Sequence, residues 1–354
     1  FTVKTQRPHT VARRFTGRSL MSNIKDVARR AGVSPSTVSR ALSDKNCVSK
    51  ETRERILQAA QELNYIPNVI AKSLKMGRTN TIALIVPNIR NHIFPEIASG
   101  VEDEARKHGI TVILCNTDEN VEIEKEYIRK LRTHWVDGVI VSTMRPNSDH
   151  IRKLRDEKFP IVLTSRYYDD DGFDLVAIDN YGAAKRAVDF LIKRGHKRIV
   201  IALGMRDLNI YKDRFRGYRD ALAENGITYD DKLVIYDTGE KNDLYFRIQA
   251  LYSRGVEFDA VFATNDPKAI IVMRALRDAG LRIPEDVSVL GFDNIEISSM
   301  LEPPLTTVSQ PFYEMGALAV KKLISQIEAK ESGEKYYPTT NLMDTELIIR
   351  KSTK

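Results

Sequence analysis

Residues 24–42 read IKDVARRAGVSPSTVSRAL, and the fold is decided first here. Ile24, Val27, Ala28 and Ala31 recur at helical spacing on one face, and Gly32 with Val33 then interrupts the pattern as a tight turn. Ser34 before Pro35 is a side-chain N-cap followed by a residue suited to the first helical position. A second helix therefore runs through Leu42. Its apolar residues Val38, Ala41 and Leu42 face inward, which leaves Ser36, Thr37, Ser39 and Arg40 outside. Val48 and Ser49 staple and cap a third helix, with Glu51 near its N-terminus and Ile56, Ala60 and Leu63 as its buried stripe. Periodicity alone allows a helix-turn-helix domain or a generic three-helix bundle. The outward set tips the balance, because small hydroxyls and an Arg suit phosphate contacts and a bidentate guanine contact in a major groove.

Charge is distributed to match. The chain of 354 residues carries a formal +7, yet residues 1–80 hold 16 Lys/Arg against 5 Asp/Glu, and the remainder holds 39 against 43. A basic head on a slightly acidic body is the asymmetry expected of a chain whose one end meets a polyanion. Lys4, Arg7, Arg13, Arg14 and Arg18 belong to an acid-free opening segment without the apolar region of a secretory signal. Residues 1–21 accordingly read as an upstream extension or an appended tail, and residues 21–80 keep a surplus of +6. Contents of 42% hydrophobic and 29% charged residues are those of a globular protein. No stretch approaches the roughly 18 apolar residues of a membrane span. Two cysteines, Cys47 and Cys115, make no disulfide framework, which points to a reducing cytoplasm.

Beyond residue 80 the pattern alternates. Apolar runs at 81–86, 110–115, 137–142 and 160–164 are separated by helical segments at 94–109, 120–133 and 148–157. Further strands are expected at 175–179, 198–204, 232–237, 260–265 and 287–292, with helices between them and a last helix at 312–330. Such continuous apolar strands between helices predict parallel sheets covered on both faces, and their number predicts two doubly wound subdomains. The Pro-rich stretch PPLTTVSQP before the last helix reads as a crossover between them. The Gly-rich phosphate loops and the nucleophile elbow of α/β enzymes are missing, and the six His are scattered. No catalytic residue, cofactor or metal ligand is therefore assigned. Cys115 reads as core and His196 as a packing or capping residue. In open α/β sheets ligands collect beyond the carboxyl ends of strands. Asn88 to Phe94, Ser165 and Arg166, Asp179, Asn265 and Asp266, and Asp293 and Asn294 all follow strands, and DRFRGY at 213–218 adds an Arg pair.

The runs IKDVARRAGVSPSTVSRAL, VSKETRERILQAAQELNYIPN and AKSLK resemble the DNA-binding head of the LacI/GalR repressors, and VPNIRNHIFPEIASGVEDEA, VDGVIVS, AIDN, GHKRI, DRFRGY, ATNDPKA and VLGFDN are similar to that family's core. The resemblance spans almost all of residues 23–354. It implies a helix-turn-helix domain over 22–67, a hinge helix and linker over 68–79, and a periplasmic-binding-protein-like core over 80–354. Pro35, Ser36 and Arg40 take the family's base-reading places, and Ser34, Thr37 and Ser39 take its phosphate-holding places. Pro35 departs from the polar or aromatic residue often found there. Asn68 opens the hinge, and Leu74 matches the leucine wedged into the minor groove. In the core the resemblance makes Phe94 a stacking residue, Arg214 a donor, Asp293 an acceptor, and Ser165, Arg166, Asp179 and Asn265 further cleft positions. Ser165 stands where many relatives carry Asp. The implied partners are pseudo-palindromic operator DNA, a second copy of the chain and a small sugar-like effector, with no membrane involved. A catabolite-control-like regulator answering to a phosphorylated protein, a solute-binding protein for transport, and an α/β enzyme using Asp293 and Arg214 are the competing readings.

Overall fold

The computed structural model describes residues 22–43, 48–65, 78–133, 136–143, 145–146, 148–168, 172–240 and 242–354. It divides into a head, Phe1–Gly77, and a core, Arg78–Lys354. In the head, α1 (Ile24–Ala31) starts in a capping box, in which Asn23 accepts from the amides of Lys25 and Asp26 and Asp26 accepts from the amide of Asn23. Gly32 ends it at φ 67, a left-handed conformation that any side chain would strain. Helices α2 (Pro35–Ser43) and α3 (Lys50–Glu62) close a small core of Val27, Ala28, Ala31, Val38, Ala41, Ile56 and Ala59.

The core holds two six-stranded sheets. The first, in order β11-β5-β4-β3-β1-β2, contains β1 (Thr81–Val86), β2 (Thr111–Asn116), β3 (Gly138–Val141), β4 (Ile161–Thr164), β5 (Asp174–Ile178) and β11 (Thr340–Met343). The second, in order β12-β10-β9-β8-β6-β7, contains β6 (Ile199–Leu203), β7 (Val234–Tyr236), β8 (Ala260–Ala263), β9 (Ser288–Asp293), β10 (Thr306–Ser309) and β12 (Glu346–Ile348). Every pairing is parallel except β10 with β12. Around the first sheet run α4 (Ile93–Lys107), α5 (Val121–Arg132), α6 (Asp149–Asp156) and α11 (Phe312–Ser332). Around the second run α7 (Asn180–Lys193), α8 (Asn209–Glu224), α9 (Asp243–Ser253) and α10 (Asp266–Asp278). The chain thus crosses between subdomains three times, after β5, β10 and β11.

Two expectations need correction. PPLTTVSQP is not merely a connection: its Thr306–Ser309 segment is a strand paired on both sides, and only then does the chain cross into α11. The run at 110–115 is not buried on both faces, because β2 lies at the sheet edge, where Leu114 is exposed and Cys115 is the one buried residue of the strand. Burial pushes the Cys115 thiol up to about 11. His196 is buried with Nδ1 3.4 Å from Asp259 Oδ1, as a packing residue would be.

Helices α4 and α11 meet backbone to backbone. A Cβ at Gly100 would fall 1.9 Å from the carbonyl oxygen of Tyr313, and one at Gly316 would fall 2.2 Å from that of Ile97. Gly100→Ala must therefore push the helices apart, at about 2–3 kcal/mol for overpacking a well-packed crossing. Denaturant unfolding checks this; an unchanged midpoint would mean the crossing is loose.

Candidate nucleic-acid interface and ligand cleft

The head presents α2 by its first turn. Ser34 accepts from the amide of Thr37 at 3.2 Å, and its hydroxyl lies 2.8 Å from those of both Ser36 and Thr37. Pro35 occupies the first helical position, where no amide is needed for the ladder. Ser34, Pro35, Ser36 and Arg40 are exposed, and Thr37 and Ser39 are half-buried. Among the described residues no carboxylate lies within ion-pair distance of Arg40, whose Nε reaches only the carbonyl of Ser36 at 3.4 Å. An exposed guanidinium, rotatable hydroxyls and the positive end of a helix dipole form one surface suited to a polyanion. Asn68 and Leu74 lie outside the described residues.

In the core, the carboxyl ends of both sheets gather polar side chains at a cleft. On the first sheet's side, Arg166 follows β4 and makes a two-pronged contact with Glu119, Nη1 to Oε2 at 2.9 Å and Nη2 to Oε1 at 2.7 Å. Arg145, after β3, also donates to Glu119. Burial opposes ionisation of Glu119, but the two guanidiniums outweigh it and lower its pKa. Ser165 takes φ 64 between Thr164 and Arg166, so the chain turns sharply there. Tyr167 then donates to Asp213 on α8 at 2.6 Å, joining the two subdomains.

On the second sheet's side, Arg214 is buried on α8. Its Nε donates to Asn180 Oδ1 at 2.9 Å, its Nη1 donates to the carbonyl of Thr264, and its Cζ lies 3.7 Å from the Phe292 ring centroid. Tyr211 sits one turn earlier; Gly204 makes room for it, since a Cβ there would fall 2.3 Å from its ring. Around that ring stand Arg214 at 5.9 Å, Lys268 Nζ at 5.7 Å, and Asn265 Nδ2 at 3.5 Å from the hydroxyl. Lys268 pairs with Asp237 at 3.2 Å. Asp293, at φ 122, accepts from Gln310 Nε2 at 2.6 Å, and burial pushes its carboxyl up to about 8 although Arg214 acts in the opposite direction. Asp266 is also raised by burial, to about 6, against hydrogen bonds from Thr307 and the amide of Ile295. Asp293 and Gln310 line a cavity of about 600 Å³ with Ile93, Pro95, Asn294 and Phe312.

The structure lines the cavity with Asp293, sets Arg214 and Asn265 around Tyr211 and Arg166 against Glu119 at the carboxyl ends of the two sheets, and engages two other expected positions elsewhere. Asp179 is exposed and spent as the N-cap of α7, accepting from the amide of Gly182 at 2.9 Å. Phe94 is 2% exposed and packs in the core with Ile97, while its neighbours His92, Ile93 and Pro95 line the cavity. Glu119, Arg145, Tyr167, Tyr211, Lys268 and Gln310 were not singled out from the sequence. Glu119, Arg145, Tyr167 and Gln310 follow strands, so the rule that selected Arg166 could have reached them; Tyr211 and Lys268 lie inside helices, and only the topology shows them.

Residues 23–68 match the profile of bacterial regulatory proteins of the lacI family, and residues 79–345 match that of periplasmic binding proteins and the sugar binding domain of the LacI family. The chain is 38% identical over 335 residues to the HTH-type transcriptional regulator RegA of Clostridium saccharobutylicum, covering 94% of this chain and 100% of that one. It is 37% identical to the ribose operon repressor of Halalkalibacterium halodurans over 94% of this chain and 98% of that one. Its fold matches the lac repressor dimer bound to operator and the anti-inducer ONPF with a TM-score of 0.84 at 27% identity, over 94% of this chain and 99% of the other.

Proposed function

This chain belongs to the lacI family of bacterial regulatory proteins, and from that premise we propose how its residues divide the work of a repressor. It is a DNA-binding transcription regulator that acts as a homodimer on operator DNA and responds to a small effector. No described helix is long and apolar enough to cross a membrane. We place the protein in the cytoplasm with its DNA and assign it no catalytic step.

The observation that carries the reading is the exposed first turn of α2, with no acidic partner for Arg40 among the described residues. In the proposal Ser36 and Arg40 reach base edges, Pro35 contributes only apolar contact, and Ser34, Thr37 and Ser39 hold phosphates. Asn68 and Leu74 belong to a hinge that wedges the minor groove. Two heads in a two-fold dimer read two half-sites, so operator symmetry mirrors protein symmetry. In the core, Arg166, Arg214, Asn265 and Asp293 contact the effector, Ser165 and Asp179 flank it, and Phe94 backs the cavity wall. The effector biases the angle between subdomains, and its differential affinity for the two arrangements sets the change in DNA affinity.

Selection from a pool of random duplexes tests this: the full chain should enrich a pseudo-palindrome, and an asymmetric or sequence-independent pool would refute it. On the selected site, Arg40→Ala should cost about 1–3 kcal/mol and relax the choice of one base per half-site. A loss equal across all sequences would make Arg40 a phosphate contact.

A further inference from the structure

We propose that Asp137 is a positioning residue for operator binding: it clamps Arg78 and Thr79, the last described residues of the linker expected over 68–79, and so fixes the direction in which the chain leaves the core. The inference rests on reading the dimer as two heads on two half-sites, and it names the side chain that limits their freedom.

The clamp is built where residues 78–81 enter the first sheet. Both the amide and the hydroxyl of Thr79 donate to Asp137 Oδ1, at 2.7 and 2.9 Å. Arg78 Nε stands 3.8 Å from the other carboxylate oxygen, and Arg78 Nη1 pairs with Glu331 of α11 at 3.5 Å. That Nε is buried and has no hydrogen-bond partner, so the carboxylate beside it is its electrostatic compensation. Asn80 then takes φ 48, a left-handed corner that Asn tolerates. Thr81 closes the corner, its amide donating to the Thr79 hydroxyl and its hydroxyl to the Thr79 carbonyl, each at 3.2 Å.

Asp137 is itself held firmly. Its amide donates to the Thr81 carbonyl at 2.8 Å, and it directly precedes β3, whose Gly138 lies opposite Ile82 of β1. Its side chain is 10% exposed, which shields the charge-assisted bonds from water. Sheet pairing uses only the backbone at this position. Among the described residues the carboxylate serves Arg78 and Thr79, 58 residues away from the latter. The start of β1, the start of β3 and the end of α11 thus converge on the incoming chain.

The consequence for binding is entropic. Two linked heads bind two half-sites with an effective concentration set by the freedom of the segments that connect them. A fixed exit leaves less freedom to lose when both heads dock, whereas a swivelling exit has to be ordered at that moment. One head on one half-site makes no such demand.

Fluorescence anisotropy titration of the full chain tests this on two duplexes, the selected pseudo-palindrome and the same duplex with one half-site scrambled. Asp137→Ala should cut the ratio of full-site to half-site affinity at least about fivefold. A smaller change in a folded variant overturns the proposal, because a core that is merely destabilised weakens both duplexes alike. Melting temperature reports folding. Arg78→Met keeps the Thr79 bonds but severs both ion pairs, so it decides the matter if the Ala variant does not fold. It should cut the same ratio at least about twofold, and a smaller change overturns the clamp. The two levels of the argument fail separately. A wild type that gains nothing from the second half-site sinks the two-headed reading and the clamp with it. A wild type that gains, beside folded variants that gain as much, sinks the clamp alone.

Discussion

Asp293→Asn is expected to stabilise the core at pH 8, to leave it nearly unchanged at pH 4, and to abolish the response to effector. The side chain is 4% exposed, and burial holds its carboxyl at about 8 in the folded state against about 3.9 unfolded. The sign follows from which state binds the proton. Between those two values the folded chain keeps a proton that the unfolded chain has released, so stability falls as pH rises. The loss begins above about pH 4 and is complete near pH 8, amounting to a few kcal/mol at about 1.36 per pKa unit. Asn is nearly isosteric, never ionises, and offers its amide oxygen to Gln310 in place of the carboxylate. Calorimetric melting of both proteins across that interval measures the difference; parallel curves would show that Asp293 is ionised throughout. The same substitution turns one carboxyl oxygen of the proposed ligand acceptor into an amide that only donates, so a more stable protein should also be an unresponsive one.

Asp293 also shows how far the sequence could be read. Its place after a strand was enough to mark it, because the rule that ligands gather at carboxyl ends depends only on the alternation of strands and helices. β1 at Thr81–Val86 coincides with the apolar run at 81–86, because a central parallel strand buried on both faces has only apolar residues to show. β11 and β12 left no such trace. Thr340–Met343 alternates exposed and half-buried residues at a sheet edge, and Glu346–Ile348 is three residues long. Such strands are set by tertiary pairing, to Asp174–Ile178 and Thr306–Ser309, and carry little local signal. The cleft divides along the same line. Single positions such as Arg214 could be chosen by place, but the Arg166–Glu119 pair, 47 residues apart, exists only once β2 and β4 join one sheet, and the Tyr167–Asp213 bond, 46 apart, only once the two subdomains meet. Asp179 illustrates the opposite limit: a post-strand Asp is also the residue that caps the next helix, and here it does.

Arg214→Met is expected to abolish the effector response while keeping the protein folded, and the contrast with Arg214→Ala carries the argument. In the wild type the guanidinium lies against Phe292, bonded to Asn180 and the Thr264 carbonyl, and burial depresses its pKa although Asp293 favours the charge. The cation is therefore costly where it stands. Met fills most of the same volume without a charge, and replacing a buried ion by an apolar isostere is often neutral or stabilising. Both leave the acceptors on Asn180 and Thr264 without this donor, but Ala also leaves a cavity beside Phe292, so it should destabilise by about 2–5 kcal/mol. Both variants lose the donor proposed for the ligand, which for a buried charged contact should weaken binding by roughly a hundredfold or more. Melting temperature and effector-driven DNA release, measured side by side, give three distinguishable results. Stability retained in Met but not Ala, with release lost in both, places Arg214 in the site at the expense of the fold. Equal destabilisation by both would make its bonds to Asn180 and Thr264 a structural requirement. A Met variant that still releases DNA at wild-type effector concentrations would remove Arg214 from the ligand altogether.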